Sequence, residues 1–192
     1  MLSANALTTV ATAISYLGIY EEDNVPNQLI ERAINVASST IEGYCNRKFK
    51  LQQHTEVAQA THTNMLLLKQ YPVQDVFSID GETNTNVTLM KEEGMLYRKA
   101  EWKEDTVVEY TAGYVLPNDT ENVRTLPYDL EDACLQLIGS VFFDEEGKED
   151  EQVTSEKIGD WSVSYAKIST IGVGGITDTV KSVLERYRRY PI

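Results

Sequence analysis

Residues 26–45 read PNQLIERAINVASSTIEGYC, with Leu29, Ile30, Ala33, Ile34, Ala37, Ile41 and Tyr44 recurring at spacings of three and four. That period puts them on one stripe of an amphipathic helix. Pro26 suits its first turn, and Asn24 is its candidate cap. A shorter helix is predicted from about Thr8 to Leu17, stopped by Gly18. From about residue 51 to 115 the period falls to two. HTEVAQA, NMLLLKQ, VQDVFSID, NVTLMKE, GMLYRK and DTVVEYTAGY are short runs separated by the turn-like segments DGETNTN, KEEG and KAEWKED. Regular spacing of such runs predicts an antiparallel sheet or small barrel. Pro72 fits the start of a strand or an edge.

Helical period returns over 126–143, LPYDLEDACLQLIGSVFF, where Leu130, Ala133, Cys134, Leu137, Ile138, Val141 and Phe142 form a stripe. Pro127 opens this helix, and Asp129, Glu131 and Asp132 sit near its positive end. DEEGKEDEQ, 144–152, is acidic and broken by glycine, so it predicts a mobile loop. EKIGDWSVSYAKI then alternates as a strand or hairpin arm, and GVGG, 172–175, reads as a flexible link. Thr177 or Asp178 caps a last helix with Val180, Val183, Leu184 and Tyr187 inward, its final RYRR complementing the helix dipole. The predicted class is α+β: a small helical bundle with an antiparallel β insertion between its second and third helices, and a β-hairpin before its last helix. Residues 1–50 and 126–192 form the helical core, and 51–125 the β-rich insertion, with a separate second domain as the alternative reading of the β block. YTAGYVLP, 110–117, marks the exit of that insertion, with Tyr110 ending a strand and Gly113 permitting the turn. Tyr110 and Tyr114 pack under it.

Composition narrows the function. A hydrophobic fraction of 42% suffices for a packed core over 192 residues. No apolar run approaches the length of a transmembrane helix, and the N-terminal stretch has no basic n-region of a signal peptide. The formal charge is −13, from 30 acidic and 17 basic residues. An acidic chain does not favour tight DNA binding, whose affinity comes largely from Lys and Arg at phosphates. It fits protein partners, or a surface that stays near nucleic acid without adhering. Cys45 and Cys134 are far apart in sequence and read as two buried thiols.

Candidate chemistry is sparse. His54, His62 and Cys45 lack the close ligand pairs and the fourth ligand of structural zinc. GVGG has neither the P-loop lysine nor the dinucleotide glycine spacing. Glu131 and Asp132 are adjacent on a helix and point in different directions, which rules them out as a paired acid and base. No nucleophile, base and orienter can be assembled, so no catalytic, cofactor or metal residue is expected. The acidic run Asp144, Glu145, Glu146, Glu149, Asp150 and Glu151 reads either as a solvated loop or as a carboxylate surface facing a polyanion. Trp161 packs under the bundle or anchors an interface. Arg186, Arg188 and Arg189 form a basic cluster in an acidic chain, read either as dipole compensation or as a contact surface.

Taken in order, IERAINVASSTIEGYCNRKF (30–49), YPV (71–73), VVEYTAGY (107–114), LPYDLEDACLQLIGSVFFD (126–144), IGDWSVSY (158–165) and VLERYRRY (183–190) resemble the head–tail connector, or head-completion adaptor, family of long-tailed phages and related prophages. The resemblance covers most of the chain. It implies a non-enzymatic virion protein of the neck, made in the bacterial host cytoplasm. It implies a homo-oligomeric ring, dodecameric in the virion, beneath the portal protein. Such a ring extends a channel that DNA passes through without specific binding, and it docks the next neck or tail protein. Under that reading the acidic run 144–151 faces the channel, and Trp161, Arg186, Arg188 and Arg189 are interface candidates. The rival readings are a tail-completion or other neck protein, and an acidic soluble protein-interaction module.

Overall fold

The computed structural model describes residues 1–20, 25–58, 63–83, 86–145, 155–158, 161–164 and 176–190. Among these residues the class is α+β, with four helices and small antiparallel sheets. Helix α1 spans Val10–Leu17; the hydroxyl of Thr9 accepts from the Thr12 amide at 3.0 Å, and Gly18 closes it at φ 66°. Helix α2 spans Asn27–Cys45. Pro26 takes its N-cap position without a side-chain bond, while Asn24 lies outside the described residues. Asn46 ends α2 in the left-handed region at φ 53°, a conformation that Asn tolerates better than most residues. Helix α3 spans Tyr128–Glu145 and helix α4 Asp178–Leu184, which tightens into a 3₁₀ turn over Glu185–Tyr187. Thr177, rather than Asp178, supplies the α4 cap, accepting from the Val180 amide at 3.3 Å.

Six short strands follow α2: β1 (Gln52–Ala58), β2 (Met65–Leu67), β3 (Val73–Ile79), β4 (Thr88–Met90), β5 (Met95–Tyr97) and β6 (Thr106–Ala112). They form two three-stranded antiparallel sheets, ordered β1-β6-β3 and β2-β5-β4, rather than one sheet or a closed barrel. Strands β2, β4 and β5 are only three residues long. Pro72 directly precedes β3, an edge strand, as its missing amide donor requires. Tyr110 lies inside β6 rather than at its end. The strand runs on to Ala112, and Gly113 makes the turn at φ 113°. There the chain crosses the segment leaving α2, with Tyr114 N–H donating to Phe49 O and Leu51 N–H to Tyr114 O, both at 2.7 Å. Strands β7 (Ser155–Ile158) and β8 (Trp161–Ser164) pair with each other as a hairpin.

Two hydrophobic clusters result. One joins Ala13, Ile30, Ile34, Ile41, Leu130, Cys134, Ile138, Val180 and Leu184 from all four helices. The other joins Leu66, Leu68, Val73, Leu96, Trp102, Val108 and Tyr110 from the strands and the segments between them. Buried polar groups cross-link the first cluster. Thr8 donates to the Glu131 carboxylate at 2.8 Å, and Arg124 pairs with Glu131 at 2.6 Å. Glu131 is therefore a buried structural ion rather than an exposed charge at the helix start. Asp144 and Glu145 belong to the last turn of α3, not to the acidic loop; between Gly139, which the helix accommodates, and Gly147 no Gly or Pro offers it an end. Glu146, Glu149, Asp150 and Glu151 lie outside the described residues, as do GVGG and His62. No helix among the described residues is long and apolar enough to cross a membrane.

Candidate functional site

The densest polar constellation lies where the C-terminal segment meets the end of α2 and the β strands. The Arg189 guanidinium donates to the carbonyls of Leu68 and Glu93, and its own backbone amide donates to Cys45 O at 2.9 Å. Its side chain also stacks on Tyr71, 4.6 Å from the ring centre. Arg47 covers the same ring at 3.5 Å and lies 4.9 Å from the Phe49 centre. Arg47 is buried, and among the described residues its guanidinium nitrogens have no hydrogen-bond partner; aromatic faces take the place of a carboxylate. Burial pushes the Arg47 and Arg189 guanidinium groups below their ordinary range, and for Arg189 the neighbouring Arg47 charge adds to this. The Tyr71 hydroxyl donates to Tyr187 O at 2.9 Å, and Asn46 to Arg189 O at 3.3 Å. Gly94 makes room: a Cβ there would lie 2.9 Å from the Tyr71 Cβ and 3.0 Å from the Arg189 guanidinium.

A second ring of contacts surrounds this one. Glu185 accepts from the hydroxyls of Tyr44 and Tyr190 and pairs with Arg188 at 3.2 Å. Hydrogen bonds from Tyr190 and Tyr44 hold its carboxyl below the usual range. Asp129, in the first turn of α3, accepts from the Tyr187 hydroxyl at 2.7 Å and pairs with Arg186 at 2.9 Å. Burial, and then the Asp129 hydrogen bond, push the Tyr187 phenol well up. The three C-terminal arginines thus make individual contacts with α2, α3 and the strands, beyond a general complement to a helix dipole. The arrangement holds a chain segment in place; it offers no pairing of nucleophile and base.

The other sequence candidates are dispersed. Cys45 and Cys134 are free and buried, as expected, and burial pushes both thiols up to about 12. His54 is half-buried against the Tyr110 ring, 5.6 Å between centres, and burial pushes its pKa down. Among the described residues no group of three His, Cys, Asp or Glu is placed to hold a metal. A polar cavity of about 660 Å³ lies among the strands, lined by Asp80, Glu82, Thr88, Arg98, Lys99 and Lys103, charges of both signs.

Against this geometry, residues 6–190 match the family described as head completion protein. The chain belongs to that family. No curated protein matches it. Among solved structures, it is similar to a chain in the neck of an empty gene transfer agent particle computed with C6 symmetry, at 15% identity and a TM-score of 0.57. It is also similar to chains from the virion of a native gene transfer agent particle, at 17% and 0.57, and from a native neck computed with C12 symmetry, at 16% and 0.55. Each comparison covers 100% of this chain and 94% of the other. At these identities the likeness is one of fold.

In this head completion family member, Arg186, Arg188 and Arg189 come together with residues that the sequence did not mark as site candidates: Arg47, Tyr71 and Glu185, together with Tyr44, read only as part of a helix stripe, and Asp129, read only as helix-start charge. The available signal was compositional. CNRKF and RYRRY both pair arginine with aromatics in an acidic chain, but nothing in their spacing shows that they meet. Trp161 stands at the start of β8, opposite Ile158.

Proposed function

We propose that this head completion protein is a non-catalytic head–tail adaptor: a ring beneath the portal protein that extends the DNA channel and docks the next neck or tail component. The family match over residues 6–190 carries the reading. The whole-chain likeness to neck chains from particles computed with six- and twelvefold symmetry supports a ring, and twelve copies is the number proposed. Residues 1–50 and 126–192 serve as the helical connector core, and 51–125 as an insertion. The acidic stretch Asp144, Glu145, Glu146, Glu149, Asp150 and Glu151 faces the channel, where carboxylates repel the phosphate backbone over about one Debye length, roughly 8 Å. Electron microscopy of intact particles tests this directly: a twelve-membered ring under the portal is expected, and one or two copies per particle overturns it. A neck structure with residues 144–151 on the outer rim overturns the channel placement alone.

Arg186 is the cleanest of the proposed contact residues. It is 62% exposed, and its Asp129 partner is 37% exposed, so the pair adds little stability to the free chain. Arg188→Glu and Arg189→Glu would also break internal contacts. Arg186→Glu is therefore expected to fold normally and to reduce incorporation into particles. Full incorporation and infectivity remove Arg186 from the interface.

A further inference from the structure

A second, smaller cavity, of about 290 Å³, lies beside the end of α2. Ser39, Lys48 and Lys69 are exposed along it, so it opens to solvent, while Glu42, Arg47 and Gln70 line it as buried residues. Its charges do not balance. The single carboxylate, Glu42, is engaged at both oxygens: Lys48 pairs with one at 2.6 Å, and the Phe49 amide donates to the other at 3.4 Å. Neither Arg47 nor Lys69 has an ion-pair partner among the described residues. Arg47, Lys48 and Lys69 against Glu42 leave an excess of positive charge in a chain that is otherwise strongly acidic.

Hydrogen-bond donors are in excess as well. Gln70 is 7% exposed, and its Oε1 accepts from the Lys48 amide at 2.8 Å. Its Nε2, which carries the N–H donors of the side chain, has no partner among the described residues. The carbonyls at the end of α2, which would repel an anion, are already spent. Glu42 O and Gly43 O accept from the Arg47 and Asn46 amides, each at 3.3 Å. Behind this wall Arg47 and Arg189 share the Tyr71 ring, and neither is paired with a carboxylate. A buried donor or cation left unpaired is costly, and an incoming oxyanion would answer both the charge and the donors.

We propose that this cavity binds one carboxylate, the side chain of an aspartate or glutamate presented by a protein partner. The inference goes beyond the adaptor reading and holds whether or not the chain forms a ring. The volume is below that of pockets for drug-sized ligands and suits the end of one side chain. A duplex offers a row of phosphates, which the −13 charge of the chain repels as a whole. A single carboxylate on a methylene stem enters the recess, where Lys69, Arg47 and the Gln70 amide act on it at short range.

Nuclear magnetic resonance titration of the isotope-labelled full chain, at fixed ionic strength, tests this. The probe is acetylated tetraglutamate; acetylated tetraglutamine, inorganic phosphate and a short DNA duplex are titrated in parallel. Tetraglutamate is expected to shift the Gln70 side-chain amide and the Lys48 and Lys69 backbone amides along one saturating curve, and tetraglutamine to leave them in place. No saturating shift at Gln70 overturns the site. Saturation by inorganic phosphate at a lower concentration than by tetraglutamate overturns the carboxylate assignment, and saturation by the duplex overturns the protein partner. Substituting Arg47 would strip the Tyr71 and Phe49 rings of their cation and disturb the fold, so Lys69→Glu carries the test. Replacing a charge-assisted contact by a repulsion is expected to weaken tetraglutamate binding about tenfold or more. Unchanged binding by Lys69→Glu, with its fold confirmed by the remaining amide signals, overturns the proposal. Each of these failures leaves the adaptor reading standing, which microscopy of particles decides separately.

Discussion

Gly113 shows how tightly one residue is held. Its φ of 113° is a region that side chains rarely adopt, and an added Cβ would lie 2.5 Å from Lys50 O and 2.8 Å from Phe49 O. Those contacts are with backbone, so they cannot rotate away. Gly113→Ala is expected to cost about 3 kcal/mol, from backbone strain and displacement of the crossing strand. For a chain of this size that lowers the melting temperature by roughly 6–12 °C, read by calorimetry. An unchanged melting temperature would show that the crossing relaxes freely. The buried thiols set a different property. Folding raises the Cys45 and Cys134 thiols from 9.0 to about 12. The native state therefore keeps protons that the unfolded chain releases. Their contribution is fully present below pH 9 and is lost as pH rises towards 12, at up to about 1.4 kcal/mol per pH unit for each thiol. Tyr110, raised chiefly by burial and then by its hydrogen bond to Glu56, acts in the same direction above pH 10. Urea midpoints measured from pH 8 to 11 should fall, and Cys134→Ala should flatten the slope. A flat wild-type profile contradicts this account.

At the scale of elements, the C-terminal turn is joined to the strands by few contacts. Arg189 supplies most of them, through two backbone carbonyls and the Tyr71 ring. Arg189→Ala is expected to remove about 2 kcal/mol of local stability. Hydrogen exchange should then quicken across 176–190 and at Leu68 to Gly94, while the α2–α3 core stays protected. Uniform protection in the variant would assign the anchoring to Asp129 and Glu185 instead. The period-two segments of the sequence correspond to β1–β6, because alternation reports which face is buried and the turn residues punctuate it. The division into two sheets was not legible: strand pairing is a choice among partners far apart in the chain, and each run reads the same in either sheet. The stripe of α2, and that of α3 as far as Ile138, were legible for the same reason as the strands. Leu135 and Glu131 are also buried, beyond the α3 stripe, because α1 and the Thr8–Arg124 contacts cover a second side of that helix.

At the scale of the whole molecule, charge governs behaviour towards DNA. With 30 acidic and 17 basic residues, and its C-terminal arginines engaged within the chain, the protein has little to exchange for phosphate counterions. Duplex DNA binding at physiological salt is expected to be undetectable by fluorescence anisotropy, both for the free chain and for the proposed ring. Micromolar affinity would overturn the proposed channel through which DNA slides.

The sequence by itself determined which segments are helix and which are strand, the burial of both thiols, and the acidic balance of the surface, since period, breakers and composition are local or additive properties. The ordered motifs also carried the resemblance to the family that the chain belongs to. Only the tertiary structure decided that Arg47 lies beneath Tyr71 beside Arg189, that Glu131 is an internal ion held by Thr8 and Arg124, and that Gly113 and Gly94 are required by crossing chain. Apart from the nearby Arg124–Glu131 pair, these contacts join residues separated by between about twenty and well over a hundred positions. Their energies depend on desolvation and distance, and neither quantity is written in the order of residues along the chain.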